Sequence, residues 1–285
     1  MTHDLAEFIE REKRGSTLSS QTLARVAHLL QQRSGIVLGE HKKETINRHL
    51  GAFARRLGLE GIDAYLDYLQ ERPDDSEWER FVNVFTINHT AFFREAHHFD
   101  ILATYLRQRN RPLNLWSAAA STGEEAYSMA IVAIENVPHA HSDVRILASD
   151  IDTQALQVAR RGVYAKERVE LLDMIRLRQF FLRGRGPNQG LVRIKPAVRD
   201  LIEFKKINLV EQRDWPGVES MDVIFCRNTL IYFSRDTQVK LLERFARVLK
   251  PGGLLFVGHS ENFSFMTSVL RLKGQTVYER PADSQ

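Results

Sequence analysis

Cysteine is almost missing from the 285-residue chain: Cys226 is the single thiol. No internal disulfide can form, and no cysteine cluster can hold a metal. A small core residue is the expectation for Cys226. No segment approaches the roughly 20 consecutive apolar residues of a membrane span. The opening MTHDLAEFIEREKR carries charges where a secretory leader needs an apolar run, so a cytoplasmic address without membrane insertion is expected. The histidines have no metal-ligand spacing with glutamate; His97 and His98, on a helix, would point about 100° apart. No metal is expected. Long basic runs are lacking too, and a net charge of +4 with a pI near 9.2 leaves nucleic acid, an acidic protein surface or neither as readings.

What is present begins with Leu113 to Glu135, LNLWSAAASTGEEAYSMAIVAIE. Leu113, Leu115 and Trp116 predict a short buried strand, seven small residues from Ser117 to Gly123 a tight turn, and Met129, Ala130, Ala133 and Ile134 one face of a helix. Ser121 or Thr122 is placed to cap that helix, with Glu124 or Glu125 completing a capping box. Strand, turn and helix make the nucleotide corner of a doubly wound sheet. The Gly-x-Gly-x-x-Gly spacing that seats a pyrophosphate is absent, however, and Glu124 and Glu125 stand where phosphates would lie. Like charges at short range repel by about 4 kcal/mol at an effective dielectric of roughly 20. A cationic or neutral ligand fits better, and S-adenosylmethionine carries an ammonium, a sulfonium and no phosphate. A packed corner without a ligand is the bland reading of the same turn.

Length and 43% hydrophobic content predict about two domains with a sizeable core. Residues 1 to 76 read as helices only: Gln21 to Gln32, His41 to Leu57 and Ile62 to Leu69 have apolar faces at helical spacing. Arg48 and Arg55 share a second face of the middle helix, and Lys42, Lys43 and Arg56 extend it. Docking of an acidic partner competes there with an ordinary solvated face. Arg72-Pro-Asp-Asp75 marks the expected domain boundary, with Trp78 to Phe85 helical beyond it. FTINHTAFFRE, from Phe85 to Glu95, then mixes Asn88, Thr90 and Arg94 among aromatics, polar groups that need a ligand or an interface if buried. The second strand, Val144 to Ala148, ends at Asp150, the position from which a carboxylate meets ribose hydroxyls; capping the following helix is its bland alternative, open equally to Asp152.

Residues 163 to 207 read as a small antiparallel subdomain, with a helix from Arg168 to Phe181 and alternating stretches at Leu191 to Lys195 and Leu201 to Ile207. Its hairpin could present an edge and Arg183, Arg185 and Arg193 to an acidic peptide, or be a surface insertion. Asn208 and Leu209 end a strand-like run. Met221 to Phe225 is a buried strand from whose carboxyl end Cys226 to Phe233 hangs, and ligands of open parallel sheets bind at such ends. Ser234 caps a further helix, Lys250-Pro-Gly-Gly253 stops it, and Leu254 to Val257 and Gln275 to Tyr278 are late strands.

FTINHTAFFREAHHF, LNLWSAAASTGEEAYS, ASDIDTQAL, VIFCRNTLIYF, KPGGLLFVGHSENFS and KGQTVYE together resemble the bacterial chemotaxis receptor methyltransferases, the CheR family. The likeness spans nearly the whole chain, including SGIVLGEHKKE in the helical region. It implies a Rossmann-like α/β S-adenosylmethionine-dependent methyltransferase sheet with an N-terminal helical domain and a β-subdomain. The implied activity is transfer of a methyl group to glutamate side chains on the cytoplasmic helices of chemoreceptors. By the same resemblance Asn88, Thr90, Arg94, Ala119, Glu125, Asp150, Asn208, Leu209, Arg227 and Asn228 bind the cofactor, and Arg94 and Tyr232 stand beside the methyl group. Gly184, Gly186 and Gly190, with Arg183 and Arg193, resemble the turn that docks a receptor's C-terminal peptide. Arg48, Arg55 and Arg56, read from their spacing on one helix, are the candidate receptor-docking face. A monomer that takes no nucleic acid is expected.

The chemistry can be argued independently. A glutamate acceptor with pKa near 4.3 is ionised at neutral pH and needs no general base, so His259 is expected to be structural. Two rivals stand beside this reading: a nucleic-acid methyltransferase and a binding module without turnover. Against the first, Cys226-Arg-Asn-Thr replaces the Asn/Asp-Pro-Pro-aromatic turn of amino-methylating DNA enzymes. Against the second, Arg94 and Tyr232 are intact.

Overall fold

A computed structural model describes residues 18–39, 42–263 and 269–282. The chain divides into two compact units, Met1–Thr86 and Ile87–Gln285.

In the first unit, α1 (Ser20–Ser34) starts where the Ser19 hydroxyl accepts from Thr22 N and ends on left-handed Gly35, φ 76°. α2 (Lys43–Arg56), α3 (Gly61–Glu71) and α4 (Glu77–Asn83) follow. Val26, Leu30, Ile46, Leu50, Leu66 and Phe81 are fully buried, each worth about 2 kcal/mol or more as buried apolar surface. The turn at Arg72 to Asp75 lies inside this unit. Trp78 Nε1 donates to the carbonyls of Leu69 and Arg72, both at 3.1 Å, and Arg56 pairs with Glu77. The boundary therefore falls ten residues beyond the expected position at 76, because side chains of α4 are needed to close the helical core. His41 lies outside the described residues.

The second unit is built on a seven-stranded sheet in the order β6-β2-β1-β7-β8-β10-β9. Its strands are β1 (Leu113–Ser117), β2 (Val144–Asp150), β6 (Ile202–Lys206), β7 (Met221–Phe225), β8 (Leu249–Phe256), β9 (Arg271–Gly274) and β10 (Val277–Glu279). The first five run parallel, and β10 joins β8 and β9 antiparallel. Order reverses between β1 and β7, which opens a crevice at their carboxyl ends.

α5 (His97–Arg107) leads into β1, α6 (Glu124–Asn136) follows it, and α7 (Thr153–Arg161) follows β2. Every residue of α6 from Glu124 to Ala133 is buried. A helix apolar nearly all round belongs inside, not on a face.

β3 (Val163–Ala165), β5 (Leu191–Ile194) and β4 (Phe181–Arg183) form a separate three-stranded antiparallel sheet in that order. The alternating stretch Leu201 to Ile207 does not join it. That stretch is β6, paired parallel to β2 from Ile146↔Ile202 to Asp150↔Lys206, so the inserted sheet ends at β5. Helical pattern also breaks within Arg168 to Phe181: a short 3-10 turn, Lys166–Val169, precedes α8 (Met174–Phe180), which Asp173 caps. α9 (Arg235–Val248), capped by Ser234, returns the chain to β8.

Candidate active site

The turn after β1 straddles the switch point. Ala118 N donates to Phe225 O at the end of β7 (2.8 Å), and Ala120 N to Ser149 O near the end of β2 (2.9 Å). Ala119 lies between them. Gly123 closes the turn at φ 99°, and a Cβ there would come within 2.8 Å of Ala159 Cβ. Close packing against α7, not approach to a ligand, is what demands glycine. Neither expected hydroxyl caps α6: its cap is Gly123, without a side-chain bond. Ser121 Oγ instead donates to Asn88 Oδ1 (2.9 Å), and Thr122 Oγ1 to Glu124 Oε2 (2.7 Å).

Around Asp150 a polar cluster forms. Its carboxylate accepts from Ser121 N (2.7 Å) and Asp152 N (2.9 Å). Asp152 takes the capping role, accepting from Gln154 N and Ala155 N, and its other oxygen receives Asn88 Nδ2 at 2.7 Å. That leaves Asp150 to the crevice. Burial pushes the Asp150 carboxyl up to about 6, against the pull of the backbone bonds. Ile207 N donates to Asp150 O (3.2 Å), which brings Asn208 and Leu209 to the same strand end. Asn208 is held there by Glu211 at 3.0 Å.

A second cluster centres on buried Arg227. Its guanidinium meets Glu125 Oε2 (3.3 Å) and Glu95 Oε2 (3.1 Å), and Nη2 also donates to the carbonyl of Arg94. Glu125 Oε1 accepts from Ser117 Oγ at 2.7 Å. Burial raises Glu125, with Arg227 opposing. At Glu95 burial also acts upward, but Arg227 and the neighbouring His259 outweigh it and hold the carboxyl below its ordinary value. Glu124, fully buried, pairs with Arg168 of the inserted subdomain, whose Nη2 donates to Thr90 O at 2.8 Å. Arg94 is half-buried and donates through Nη1 to His89 O (2.8 Å).

Asn228 and Tyr232 are carried on the loop after β7, Tyr232 in the 3-10 turn Leu230–Tyr232. Buried Glu261 staples this loop: its carboxylate accepts from the backbone N–H groups of Asn228, Thr229, Ile231 and Gly258 at 2.6 to 3.3 Å. Gly258 has no room for a Cβ, which would lie 2.3 Å from Asn228 Nδ2.

Phe93, Glu95, Ser121 and Asn228 all hold φ near 50°, a region that costs a non-glycine residue about 1 kcal/mol or more. Their hydrogen bonds maintain the strain: Phe93 N donates to Ser128 Oγ, Ser121 N to Asp150 and Asn228 N to Glu261.

Asn88, Thr90, Arg94, Ala119, Glu125, Asp150, Asn208, Leu209, Arg227, Asn228 and Tyr232 thus lie on segments at the carboxyl ends of β1, β2, β6 and β7, or on segment 87–95, which these bonds tie to them. The sequence alone does not single out Glu95, Arg168 or Glu261. For Glu95 the signal was a carboxylate directly after Arg94 in an aromatic-rich stretch. Nothing local marked Arg168, since its partners come from distant segments.

Arg183 and Arg193 are exposed on β4 and β5 of the inserted sheet; Gly186 and Gly190 turn there at φ 57° and 84°, and Gly184 has no space for a Cβ beside Asn188 O. In the helical unit Arg48 and Arg55 line a groove of about 690 Å³ on α2, whereas Arg56 is engaged by Glu77.

Residues 88–278 match the family model described as CheR methyltransferase, SAM binding domain, and residues 21–86 match CheR methyltransferase, all-alpha domain. Fold and site therefore define a methyltransferase that uses S-adenosylmethionine. The chain belongs to the CheR methyltransferase family. It is 45% identical over 267 residues to a chemotaxis protein methyltransferase of Salmonella typhimurium, covering 93% of this chain and 92% of the relative. A protein of the same description from Escherichia coli is 44% identical, with 93% of both chains covered. Chemotaxis protein methyltransferase 2 of Pseudomonas aeruginosa is 47% identical over 256 residues, covering 89% and 90%.

Proposed function

We propose that this protein methylates glutamate side chains on the cytoplasmic helices of bacterial chemoreceptors, forming γ-methyl esters that adjust receptor signalling. The relatives described as chemotaxis protein methyltransferases support the substrate class. The observation that carries the site is the pair of clusters at the strand ends, Asp150 with Asn88 and Ser121 on one side and Glu95, Glu125 and Arg227 on the other.

These residues suit S-adenosylmethionine. Asp150 is available to ribose hydroxyls, the carboxylates around Arg227 outnumber it and favour a cation, and Arg227 Nε is buried with no acceptor among the described residues. When bound, the cofactor supplies an electrophilic methyl group on sulfonium. Asn208 and Leu209 border the same strand end, in reach of an adenine. A glutamate acceptor arrives ionised, so no side chain has to remove a proton. What remains is alignment and exclusion of water, which favours a step in which carboxylate and sulfonium charges neutralise. Arg94 presents a planar fork on the segment beside Arg227 and directs the acceptor carboxylate. Tyr232 orients it by its hydroxyl and ring. His259 stands beside Glu95 and is structural, because an acceptor that arrives ionised calls for no base.

Arg48 and Arg55 of the helical unit serve to dock the acidic receptor bundle. The β4 edge of the inserted sheet, with Arg183, Arg193 and the turn Gly184, Gly186, Gly190, can add a receptor's C-terminal peptide as a further strand. The enzyme works as a cytoplasmic monomer recruited to membrane receptor arrays. Incubation with methyl-labelled S-adenosylmethionine and chemoreceptor-bearing membranes tests the activity: label should enter the receptor band and leave it as methanol in mild alkali. Alkali-stable label, or label on added nucleic acid, would overturn the assignment.

A further inference from the structure

The Arg227 guanidinium is shared by two carboxylates that come from separate segments. Glu95 Oε2 stands 3.1 Å from Nη2 and Glu125 Oε2 3.3 Å from Nη1. Arg227 and Glu125 are buried, and only about 10% of the Glu95 side chain is exposed. Glu95 does more than pair. Its Oε1 accepts from His259 N (3.4 Å) and lies at the limit of reach from Asn228 Nδ2 (3.5 Å), and His98 Nδ1 is 3.4 Å from Oε2. His98 does not supply a charge there, since burial lowers it to about 4. The backbone of Glu95 is held in the left-handed region at φ 57°, a conformation the side-chain contacts must maintain.

Two negative charges on one buried positive charge leave an excess of one. If Glu125 were the sole partner of Arg227, the pair would be neutral and would attract a cation weakly. With Glu95 drawing the guanidinium to its other side, part of the Glu125 charge stays uncompensated in a poorly solvated place, where a neighbouring cation gains most.

We propose that Glu95 is a positioning residue of the donor site: by dividing Arg227 with Glu125 it orients the guanidinium and leaves the negative charge of the cluster incompletely compensated, so that Glu125 holds the ammonium group of S-adenosylmethionine. The inference rests on the reading of Glu125 and Arg227 as donor-binding residues. It accounts for a glutamate placed directly after Arg94, and for the bond from Arg227 to the Arg94 carbonyl, which ties the methyl-transfer segment to the donor site.

Calorimetric titration of the full chain with S-adenosylhomocysteine and with its deaminated analogue tests it. Glu95→Gln keeps the shape and removes the charge. It is expected to weaken S-adenosylhomocysteine about tenfold, to leave the already weak analogue unchanged, and to raise the donor KM more than it lowers kcat. Glu95→Asp, which restores the charge, should recover most of the loss and serves if the glutamine variant folds poorly. Equal weakening of both ligands would reduce Glu95 to a packing role and overturn the proposal. So would unchanged affinity in Glu95→Gln alongside a loss in Glu125→Gln, an outcome that leaves the donor site itself standing. Unchanged affinity in both variants would remove the donor from this crevice altogether.

Discussion

Arg94 and Asp150 show what single side chains contribute. Arg94 sits in a loop, and among the described residues its guanidinium makes one hydrogen bond, to His89 O, worth about 1 kcal/mol. Arg94→Ala should therefore lower single-turnover methyl transfer by about 10²-fold or more while the urea midpoint hardly moves; full turnover would remove Arg94 from the mechanism. Tyr232→Phe keeps the ring and should cost about tenfold in kcat if one hydroxyl bond is lost at the transition state. Asp150 predicts a pH dependence. Its folded pKa is raised from 3.8 to about 6, so the native state binds more protons than the unfolded chain between those values, and this group costs stability as pH rises through them. Two ribose hydroxyls donate far more strongly to the ionised form. S-adenosylhomocysteine affinity should then be flat above about pH 6 and fall towards tenfold per unit below it, a slope that Asp150→Asn should abolish when titrated calorimetrically. The sequence points to Asp150 for the ribose and leaves the capping role open equally to Asp150 and Asp152; the cap bonds belong to Asp152.

Elements were legible where their periodicity is strong. β1, β7 and α6 emerge close to their expected limits, because alternation or helical spacing is a local property. β6 was read as a strand but assigned to the wrong sheet, since one alternating stretch can pair with any edge and its register to β2 is a long-range fact. β9 had no signal: all four of its residues are exposed. The capping box expected at α6 does not form because the Ser121 hydroxyl bonds Asn88, outside the helix, and the Thr122 hydroxyl bonds the Glu124 side chain instead of a backbone N–H. Gly123→Ala tests how that helix is seated. With φ at 99° and Ala159 Cβ 2.8 Å away, it should lose about 2 kcal/mol or more, read as a fall of several degrees in Tm. Deletion of residues 184 to 190 belongs to the same scale: it should weaken binding of a receptor tail peptide and spare S-adenosylhomocysteine, both measurable by calorimetry.

At the scale of the molecule, the catalytic unit buries ionisable groups whose titration its stability must follow. His98 is fully buried, edge-on to the stacked rings of Phe225 and Phe256, and desolvation with nearby Arg227 lowers it to about 4. The unfolded chain thus binds the extra proton first, and this contribution is lost as pH falls through the window from 6.5 to about 4. The stability difference between the protein and His98→Asn, from urea unfolding, should shrink by about 2 kcal/mol between pH 7 and pH 5. A constant difference would show that His98 takes up its proton over the same pH range in the folded and unfolded chain. By itself the sequence determined the alternation of helix and strand, the absence of a phosphate-binding turn and the family to which the motifs belong, because spacing and turn chemistry act over a few residues. Tertiary structure alone decided that β6 extends the main sheet, that α4 closes the helical unit, and that Glu95, Glu125 and Arg227 share one charge. Those outcomes depend on segments distant in the chain packing side by side, through helix contacts in the first unit and parallel crossovers in the second, and no local pattern records which carboxylate will meet which guanidinium.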